Sequence, residues 1–378
     1  MSDHDRSTRR LSSRGPRVLI LTASVGEGHD LPARTLAAQL RSERPGLEVV
    51  TEDGLAPLGR LVTGISADAP RFGFFHFQWL WDLGFWAFAR FGPTRRATQA
   101  LLARVGGTGL LQLIRSVDPQ VVVSTYPVTT EVLARLRCSG ALELPVVSAI
   151  TDLAGLYYWA APGVDVHLIT HPESADEVRR IAGVDTSIVC VHGLTAAEFR
   201  GDRSTTDARA ALGLPAVGKL VLVSGGGWGV GDVEGAAEVA LGVDGVSQVV
   251  CLTGRNDGLQ RRLARRFDRD PRVRVEPFTD RMPDWLAAVD VLVHSTGGLT
   301  VLEALLRGCP AISYGWGRGH IRLHNAAFRR FGLAEVALTR VELAASLRRV
   351  LAGGRTRTDA FQALPSAASV VLAAANPG

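Results

Sequence analysis

Short apolar runs alternate with longer segments of helical spacing along most of the chain. The runs are rich in Val, Leu and Ile, and a glycine or polar turn follows many of them. Continuous apolar runs of this kind are typical of strands that are buried on both faces of a parallel sheet. The predicted strands are residues 17–24, 117–124, 145–150, 166–170, 187–193, 219–224, 248–253, 272–275 and 290–294. The alternation predicts an α/β fold with parallel sheets.

The clearest strand–turn–helix unit runs from Asp290 to Ser313. Its strand, 290–294, leads into a close turn at Gly297 and Gly298, and a helix over 299–307 follows. Glycine permits the tight turn, and the first backbone N–H groups of a helix behind such a turn can bind phosphate.

Glu303 lies about one turn into that helix, in an otherwise apolar segment. From this position a carboxylate could accept hydrogen bonds from two neighbouring sugar hydroxyls. The alternative is a buried packing turn in which Glu303 pairs with Arg307 at i,i+4. The spacing alone leaves both interpretations open.

His29 lies in the loop after the first predicted strand, at the carboxyl end of that strand. The binding sites of α/β proteins commonly lie at this end of the strands. The loop 25–29 contains two glycines, and we predict a helix from about Leu31 to Arg44 with Asp30 as its N-cap. A histidine can act as a general base near neutral pH, whereas the alternative is a residue that only caps the helix. The GxGxxG fingerprint is absent, so no dinucleotide is indicated.

Two further features could serve the same site. The glycine loop 225–231 follows the strand 219–224 and could present backbone N–H groups to an anion, or be a simple flexible turn. It is not a P-loop, because no GK[ST] follows. Asp152 follows the strand 145–150 and could orient a base or bind an acceptor hydroxyl, or merely cap a turn.

Residues 72–91 hold seven Phe and three Trp, and apolar residues cover nearly all helical faces. One interpretation is a hairpin or helix pair that enters the membrane interface, with Arg71, Arg90, Arg95 and Arg96 at the headgroups. The alternative is buried core or a dimer contact.

Composition narrows the class of protein. The length of 378 residues suggests two domains. The net charge of +5 is compatible with acidic partners, but no nucleic-acid motif is present. The polar arm 1–16 resembles no signal peptide, and no apolar run is long enough for a transmembrane helix. The four cysteines are far apart, which fits reduced thiols in the cytoplasm better than disulfides or zinc.

The segment from Gly297 to Leu305 resembles the donor-binding segment of the monogalactosyldiacylglycerol synthases and diacylglycerol glucosyltransferases, with Thr296 in place of the usual proline. The pattern TD–x6–W–x3–GVD from Thr151, the GGG–x–G–x–G loop from Gly225 and the Gly-Arg-Asn triplet at 254–256 are similar to the same family. These family 28-like enzymes are inverting, metal-independent glycosyltransferases with the GT-B fold.

The resemblance implies two Rossmann-like domains that face a central cleft. It implies an acceptor domain over 17–200, a UDP-sugar donor domain over 201–355 and a C-terminal tail or helix over 356–378. The implied reaction moves a hexose from a UDP-sugar to a lipid such as diacylglycerol, without a cofactor or metal, in the cytoplasm or at the inner face of the membrane. Galactose, glucose and N-acetylglucosamine stay open as the sugar. A soluble natural product or a lipid diphosphate stays open as the acceptor, and an epimerase-like enzyme as the alternative activity.

The resemblance also implies roles for individual residues. The implied catalytic residues are His29 and, as the second choice, Asp152, and the implied acceptor-loop residues are Gly26, Gly28 and Tyr126. The implied donor-binding residues are Gly226, Gly227, Arg255, Phe278, Met282, Thr296, Gly297, Gly298, Leu299, Thr300, Glu303, His320 and Asn325. The chain departs from the family pattern at His320, where glutamine is common, and at Leu156, where histidine is common.

Overall fold

The computed structural model describes residues 15–23, 27–59, 91–315, 317, 320–355 and 363–376. Residues 1–14 of the predicted arm 1–16, residues 72–90 of the aromatic segment, and Gly26 lie outside these ranges. Phe91, the last residue of the aromatic segment, is described and is exposed.

A parallel sheet of six strands forms the first half of the described chain. Its strands are β1 (Arg17–Thr22), β2 (Glu48–Asp53), β3 (Val121–Ser124), β4 (Val146–Ile150), β5 (Val166–Ile169) and β6 (Ser187–Cys190), in the order β2-β1-β3-β4-β5-β6. Its helices are α1 (Glu27–Glu43), α2 (Gly92–Val117), α3 (Pro127–Cys138) and α4 (Ala175–Ala182). The Val- and Leu-rich runs are buried in β1, β3 and β4, as the sequence pattern predicts.

A second parallel sheet of six strands forms the other half. Its strands are β7 (Lys219–Ser224), β8 (Val246–Leu252), β9 (Val273–Glu276), β10 (Val291–His294), β11 (Ala311–Tyr314) and β12 (Glu335–Ala337), in the order β12-β11-β10-β7-β8-β9. Its helices are α5 (Thr205–Leu212), α6 (Val233–Leu241), α7 (Asp257–Arg266), α8 (Met282–Ala288), α9 (Gly298–Leu306), α10 (His320–Phe331) and α11 (Arg340–Gly353). Two Rossmann-like halves with parallel sheets are therefore confirmed.

Three local predictions were wrong. Helix α1 begins at Glu27, so His29 lies in its first turn, and Asp30 accepts a hydrogen bond from Thr22 at 3.0 Å instead of forming the N-cap. Helix α2 continues to Val117, and Asp118 ends it with a positive φ of 55°. Strand β3 therefore begins at Val121 and not at residue 117. Strand β2 was missed because its sequence is polar and it lies half-exposed at the sheet edge.

The strand order of each sheet reverses at one point, and ligands of open α/β sheets bind outside the carboxyl ends of the strands there. In the first sheet β1 pairs with both β2 and β3, and in the second β7 pairs with both β8 and β10. The loop after β1, the glycine loop after β7 and the Gly297 turn after β10 all leave from these points.

The C-terminal helix α12 (Ala367–Ala375) returns to the first half of the chain. Ala367, Ala368 and Val371 are buried in one apolar cluster with Leu36 and Leu40 of α1. The alanine-rich C-terminal end therefore packs on the first half of the chain. Among the helices that the model describes, none has the length and apolar character needed to cross a bilayer.

Candidate active site

A cleft of about 960 Å³ lies over the carboxyl ends of the second sheet and also contacts the first half of the chain. Leu31 and Arg34 of α1 line one side of it. The other side holds eight of the thirteen predicted donor-binding residues, which are Gly226, Gly227, Arg255, Phe278, Met282, Leu299, Thr300 and Glu303. Residues far apart in sequence thus form one surface, because the carboxyl ends of parallel strands share one edge of a sheet.

Two glycine turns of the second half meet at this edge. A Cβ on Gly226 would lie 2.7 Å from the side chain of Thr296, so the loop after β7 and the turn after β10 touch. The backbone N–H of Gly226 donates to Ser224 at 3.2 Å and is therefore already used within the loop. Helix α9 has Gly297 as its N-cap and no side-chain cap, so its positive end remains available to an anion.

Glu303 lies on α9 at the wall of the cleft and is 8% exposed. Burial raises the pKa of its carboxyl to about 8. The guanidinium of Arg307, which the sequence offered as an ion-pair partner, donates to the backbone carbonyls of Gly201 and, at 3.1 Å, Pro283. A largely desolvated carboxyl that faces a cleft is well placed to bond polar groups of a ligand.

Arg255 and Phe278 form a single feature of the cleft. The guanidinium carbon of Arg255 lies 3.7 Å from the centre of the Phe278 ring, and Phe278 is 40% exposed. Met282 begins α8 nearby and packs partly against the core of the second half. A planar cation on an exposed ring is a surface on which a flat ligand can bind.

His29 lies at the carboxyl end of β1, on the first half of the chain. Its ring packs edge-on against Tyr126, with centroids 4.9 Å apart, and lies 5.7 Å from the ring of Trp159. Burial lowers the pKa of His29, and the negative charge of Asp152 partly opposes this shift. The imidazole is therefore in its neutral, basic form near pH 7.

Asp152 connects the two halves of the chain. Its Oδ2 accepts a hydrogen bond from Trp159 Nε1 at 2.9 Å, and its Oδ1 lies 3.3 Å from Nε2 of His324 on α10. A Cβ on Gly298 would lie 3.1 Å from the backbone N of Leu153, next in sequence to Asp152. The structure thus brings Asp152 and the Gly297–Gly298 turn together.

The remaining predicted residues lie in other surroundings. Asn325 does not line the described cleft; its amide oxygen accepts from Ser313 at 2.6 Å and its amide nitrogen donates to the carbonyl of Gly315 at 3.3 Å. His320 begins α10 and Gly28 lies in the first turn of α1.

The sequence analysis missed several residues at this site. Arg34 lines the cleft, and three buried histidines, His171, His294 and His324, interact with one another outside its lining, with His324 next to Asp152. His171 and His294 lie at or just beyond the carboxyl ends of β5 and β10, which is a signal that the sequence offered. Nothing in the local sequence marks His324, because it lies in the middle of a helix.

Comparison with known proteins agrees with this architecture. The family model of monogalactosyldiacylglycerol (MGDG) synthase matches residues 29–195, and the model of the glycosyltransferase family 28 C-terminal domain matches residues 220–372. The first match covers the half that carries His29 and Asp152, and the second covers the half that carries the glycine turns. Together the two models account for most of the chain.

Two curated relatives show the same relationship. The chain is 27% identical over 332 residues to monogalactosyldiacylglycerol synthase 1 of Arabidopsis thaliana, and the match covers 81% of this chain but 59% of that protein. It is 25% identical over 329 residues to a processive diacylglycerol beta-glucosyltransferase of Staphylococcus epidermidis, covering 85% of this chain and 81% of that protein. The chain therefore spans about three fifths of the plant relative's length.

Solved structures share the fold at low sequence identity. A spinosyn rhamnosyltransferase has a TM-score of 0.60 and 16% identity, with 95% of this chain and 100% of that chain covered. MurG of Acinetobacter baumannii has a TM-score of 0.52 and 15% identity, with 96% and 95% covered. With one half matched by each model, the chain belongs to the family 28-like GT-B glycosyltransferases that include the monogalactosyldiacylglycerol synthases and the diacylglycerol glucosyltransferases, which are hexosyltransferases.

Proposed function

We propose that this protein transfers a hexose from a UDP-sugar to the hydroxyl of a diacylglycerol-type lipid, with inversion at the anomeric carbon and without a metal ion. The observation that carries the proposal is a cleft that eight predicted donor-binding residues of the second half and helix α1 of the first half line together. Glu303, Arg255 and the glycine loop after β7 line it from the second half, and Leu31 and Arg34 of α1, the helix whose first turn carries His29, line it from the first.

The second half supplies the groups that a nucleotide diphosphate needs. The N-terminus of α9 and the guanidinium of Arg255 would stabilise the charge that develops on the leaving diphosphate. Glu303 would bond the ribose hydroxyls, and the exposed ring of Phe278 would contact the uracil. The backbone dipoles of α9 and the arginine would therefore stabilise the leaving diphosphate with this chain's own residues.

The first half supplies the base. The acceptor oxygen forms a bond to C1 of the sugar while the bond from C1 to the phosphate oxygen breaks, and the hydroxyl proton passes to the neutral imidazole of His29. Because Trp159 Nε1 donates to Asp152 and His324 lies 3.3 Å from it, we assign the proton to His29 and a supporting role to the Asp152 carboxylate. One direct displacement of this kind inverts the anomeric carbon.

The surface of helix α2 favours a lipid over a soluble acceptor. Phe91, Leu101 and Val105 are 45%, 61% and 53% exposed. Phe91 is the N-cap of this helix, and Leu101 and Val105 lie about one turn apart within it. Helix α2 contains four arginines and no acidic residue. Exposed apolar side chains beside arginines fit the surface of an anionic membrane, on which a lipid acceptor is presented.

A product assay tests the reaction. Purified protein is incubated with UDP-glucose, UDP-galactose or UDP-N-acetylglucosamine and diacylglycerol in mixed micelles containing EDTA, and products are identified by mass spectrometry and by the anomeric coupling in NMR. We expect a β-glycosyl-diacylglycerol. Transfer only to a soluble acceptor would overturn the lipid assignment, and release of free UDP without any acceptor would support the epimerase-like alternative.

Vesicle binding tests the α2 surface separately. We expect the double variant L101S/V105S to bind vesicles of phosphatidylglycerol and phosphatidylcholine about tenfold more weakly than the wild type. The matched control is V184S/V217S, at two valines that are 84% and 80% exposed elsewhere. Equal binding by both double variants would exclude α2 as the membrane surface.

A further inference from the structure

His324 lies where the two halves of the chain meet. It is on α10 of the second half, its side chain is fully buried, and its Nε2 is 3.3 Å from Oδ1 of Asp152 in the first half. A Cβ on Gly297 would lie 3.7 Å from the same Nε2. One imidazole nitrogen therefore lies next to the carboxylate beside the proposed base and faces the turn that begins α9.

The ring of His324 is held by its own helix. It stacks on Phe328 with centroids 6.0 Å apart, and Phe328 packs edge-on against His294 at 6.1 Å. Phe328 is fully buried in the core of the second half. This packing fixes the imidazole in position relative to the second sheet. The distance between Asp152 and His324 therefore depends on how the second sheet is placed relative to the first half.

Asp152 in turn acts on His29. The negative charge of Asp152 raises the pKa of His29 against the larger effect of burial. Trp159 provides a second connection, since its Nε1 donates to Asp152 and its ring lies beside that of His29. The other titratable groups around this path are Asp30 next to His29, and His171 and His294, whose pKa values burial and the nearby His324 lower.

We propose that His324 is a positioning residue that acts through Asp152: it fixes the Asp152 carboxylate beside His29 when the donor half is docked on the acceptor half. The inference rests on the proposed role of His29 as base. It assigns a function to a residue outside the donor and acceptor motifs, and it makes the proposed base dependent on contact between the two halves of the chain.

A double-mutant cycle tests whether His324 acts through Asp152. The proteins are wild type, H324F, D152N and H324F/D152N, with H324Q as the conservative variant whose amide can reach the same carboxylate oxygen. Phenylalanine keeps the stacking on Phe328 and removes the nitrogen. We expect H324F alone to lower kcat about tenfold. In the D152N background the same substitution should change kcat less than about twofold. H324Q should keep most of the wild-type kcat.

Two outcomes would overturn the proposal. An equal loss from H324F in both backgrounds would mean that His324 acts independently of Asp152. An equal loss in H324F and H324Q, with a lower melting temperature in both, would mean that His324 only stabilises the fold. The affinity for UDP is measured in parallel and is expected to change less than about threefold, since no donor contact is removed.

A readout without turnover separates this inference from the proposed reaction. The pKa of His29 is measured by NMR in the same proteins, with the His29 signal assigned by its absence in H29N. We expect D152N and H324F to lower the pKa of His29, and H324F to add nothing in the D152N background. If no sugar transfer is found but this pattern holds, the reaction assignment fails and the positioning role stands; an unchanged pKa in H324F overturns the positioning role.

Discussion

The guanidinium carbon of Arg255 lies 3.7 Å from the centre of the Phe278 ring, at the wall of the interdomain cleft. Arg255 follows β8 in the Gly-Arg-Asn triplet and Phe278 follows β9, so the pairing of two adjacent strands brings them together. The family resemblance implied only that both are donor-binding residues. The structure joins them into one surface.

This pairing predicts how the nucleotide affinity responds to substitution. We expect F278A to weaken UDP binding about tenfold, because both the ring proposed to contact the base and the cation–π partner of Arg255 are lost. F278Y keeps the ring and is the matched control, with an expected change of less than about twofold. Isothermal titration calorimetry with UDP measures both. Equal affinities of F278A and wild type would remove Phe278 from the donor site.

Glu303 should lower the free energy of unfolding as the pH rises, whereas a carboxylate in an ion pair would raise it. Its pKa in the fold, about 8, is above the ordinary value of 4.5 for a glutamate carboxyl. Between these values the folded protein retains a proton that the unfolded chain has released, so the free energy of unfolding decreases as pH rises through this window. Glutamine at this position removes the titration and keeps the shape of the side chain.

We therefore expect E303Q and wild type to melt at similar temperatures near pH 5. At pH 8 the variant should be more stable, with a gain on the order of 5 °C. Calorimetric melting curves at the two pH values measure the difference. A constant offset between the proteins at both pH values would contradict the raised pKa of Glu303.

The same residue should matter for the donor. E303A should weaken UDP binding by about 1–3 kcal/mol, which is the range for losing a buried hydrogen-bonded partner. Uridine and UDP should lose affinity equally if Glu303 bonds the ribose and not the phosphates. An unchanged affinity for both ligands would remove Glu303 from the donor site.

The two glycines at the start of α9 should tolerate alanine differently. A Cβ on Gly298 would lie 3.1 Å from the backbone N of Leu153, whereas the nearest atom to a Cβ on Gly297 is 3.7 Å away. Because backbone atoms move aside less easily than a side chain, G298A requires the α9 turn and the Leu153 backbone to separate by a few tenths of an ångström. We expect G298A to lower kcat/KM about tenfold and G297A to change it less than about twofold. Steady-state kinetics decide the comparison, and equal effects would contradict the close contact at Gly298.

His29 should matter for turnover much more than for donor binding. H29A is expected to lower kcat by about 10² to 10⁴, the range for loss of a general base, while UDP affinity stays within about threefold. In the wild type, kcat should fall as the pH drops through the pKa of His29, and this acidic limb should be absent in the residual activity of H29A. Near-normal turnover in H29A would exclude His29 as the base.

The sequence by itself determined the fold class and much of the donor side. Continuous apolar runs marked β7 and β10, because strands buried on both faces need apolar residues at every position. Glycine pairs marked the turns, because a residue without Cβ lets Gly226 approach the side chain of Thr296, and Gly298 approach the backbone of Leu153, as closely as they do. The start of α1 was predicted too late in the sequence, because a glycine loop and the first turn of a helix can have the same local composition.

Only the tertiary structure decided which residues act together. Asp152 and His324 are far apart in sequence and carry no shared motif, and they meet because two separately folded sheets dock with their carboxyl edges facing each other. Burial in the folded chain desolvates Glu303 and His29 and moves their pKa values in the directions given above. Local sequence encodes strands, turns and helices through short-range preferences, whereas burial and charge at the cleft depend on packing between distant segments.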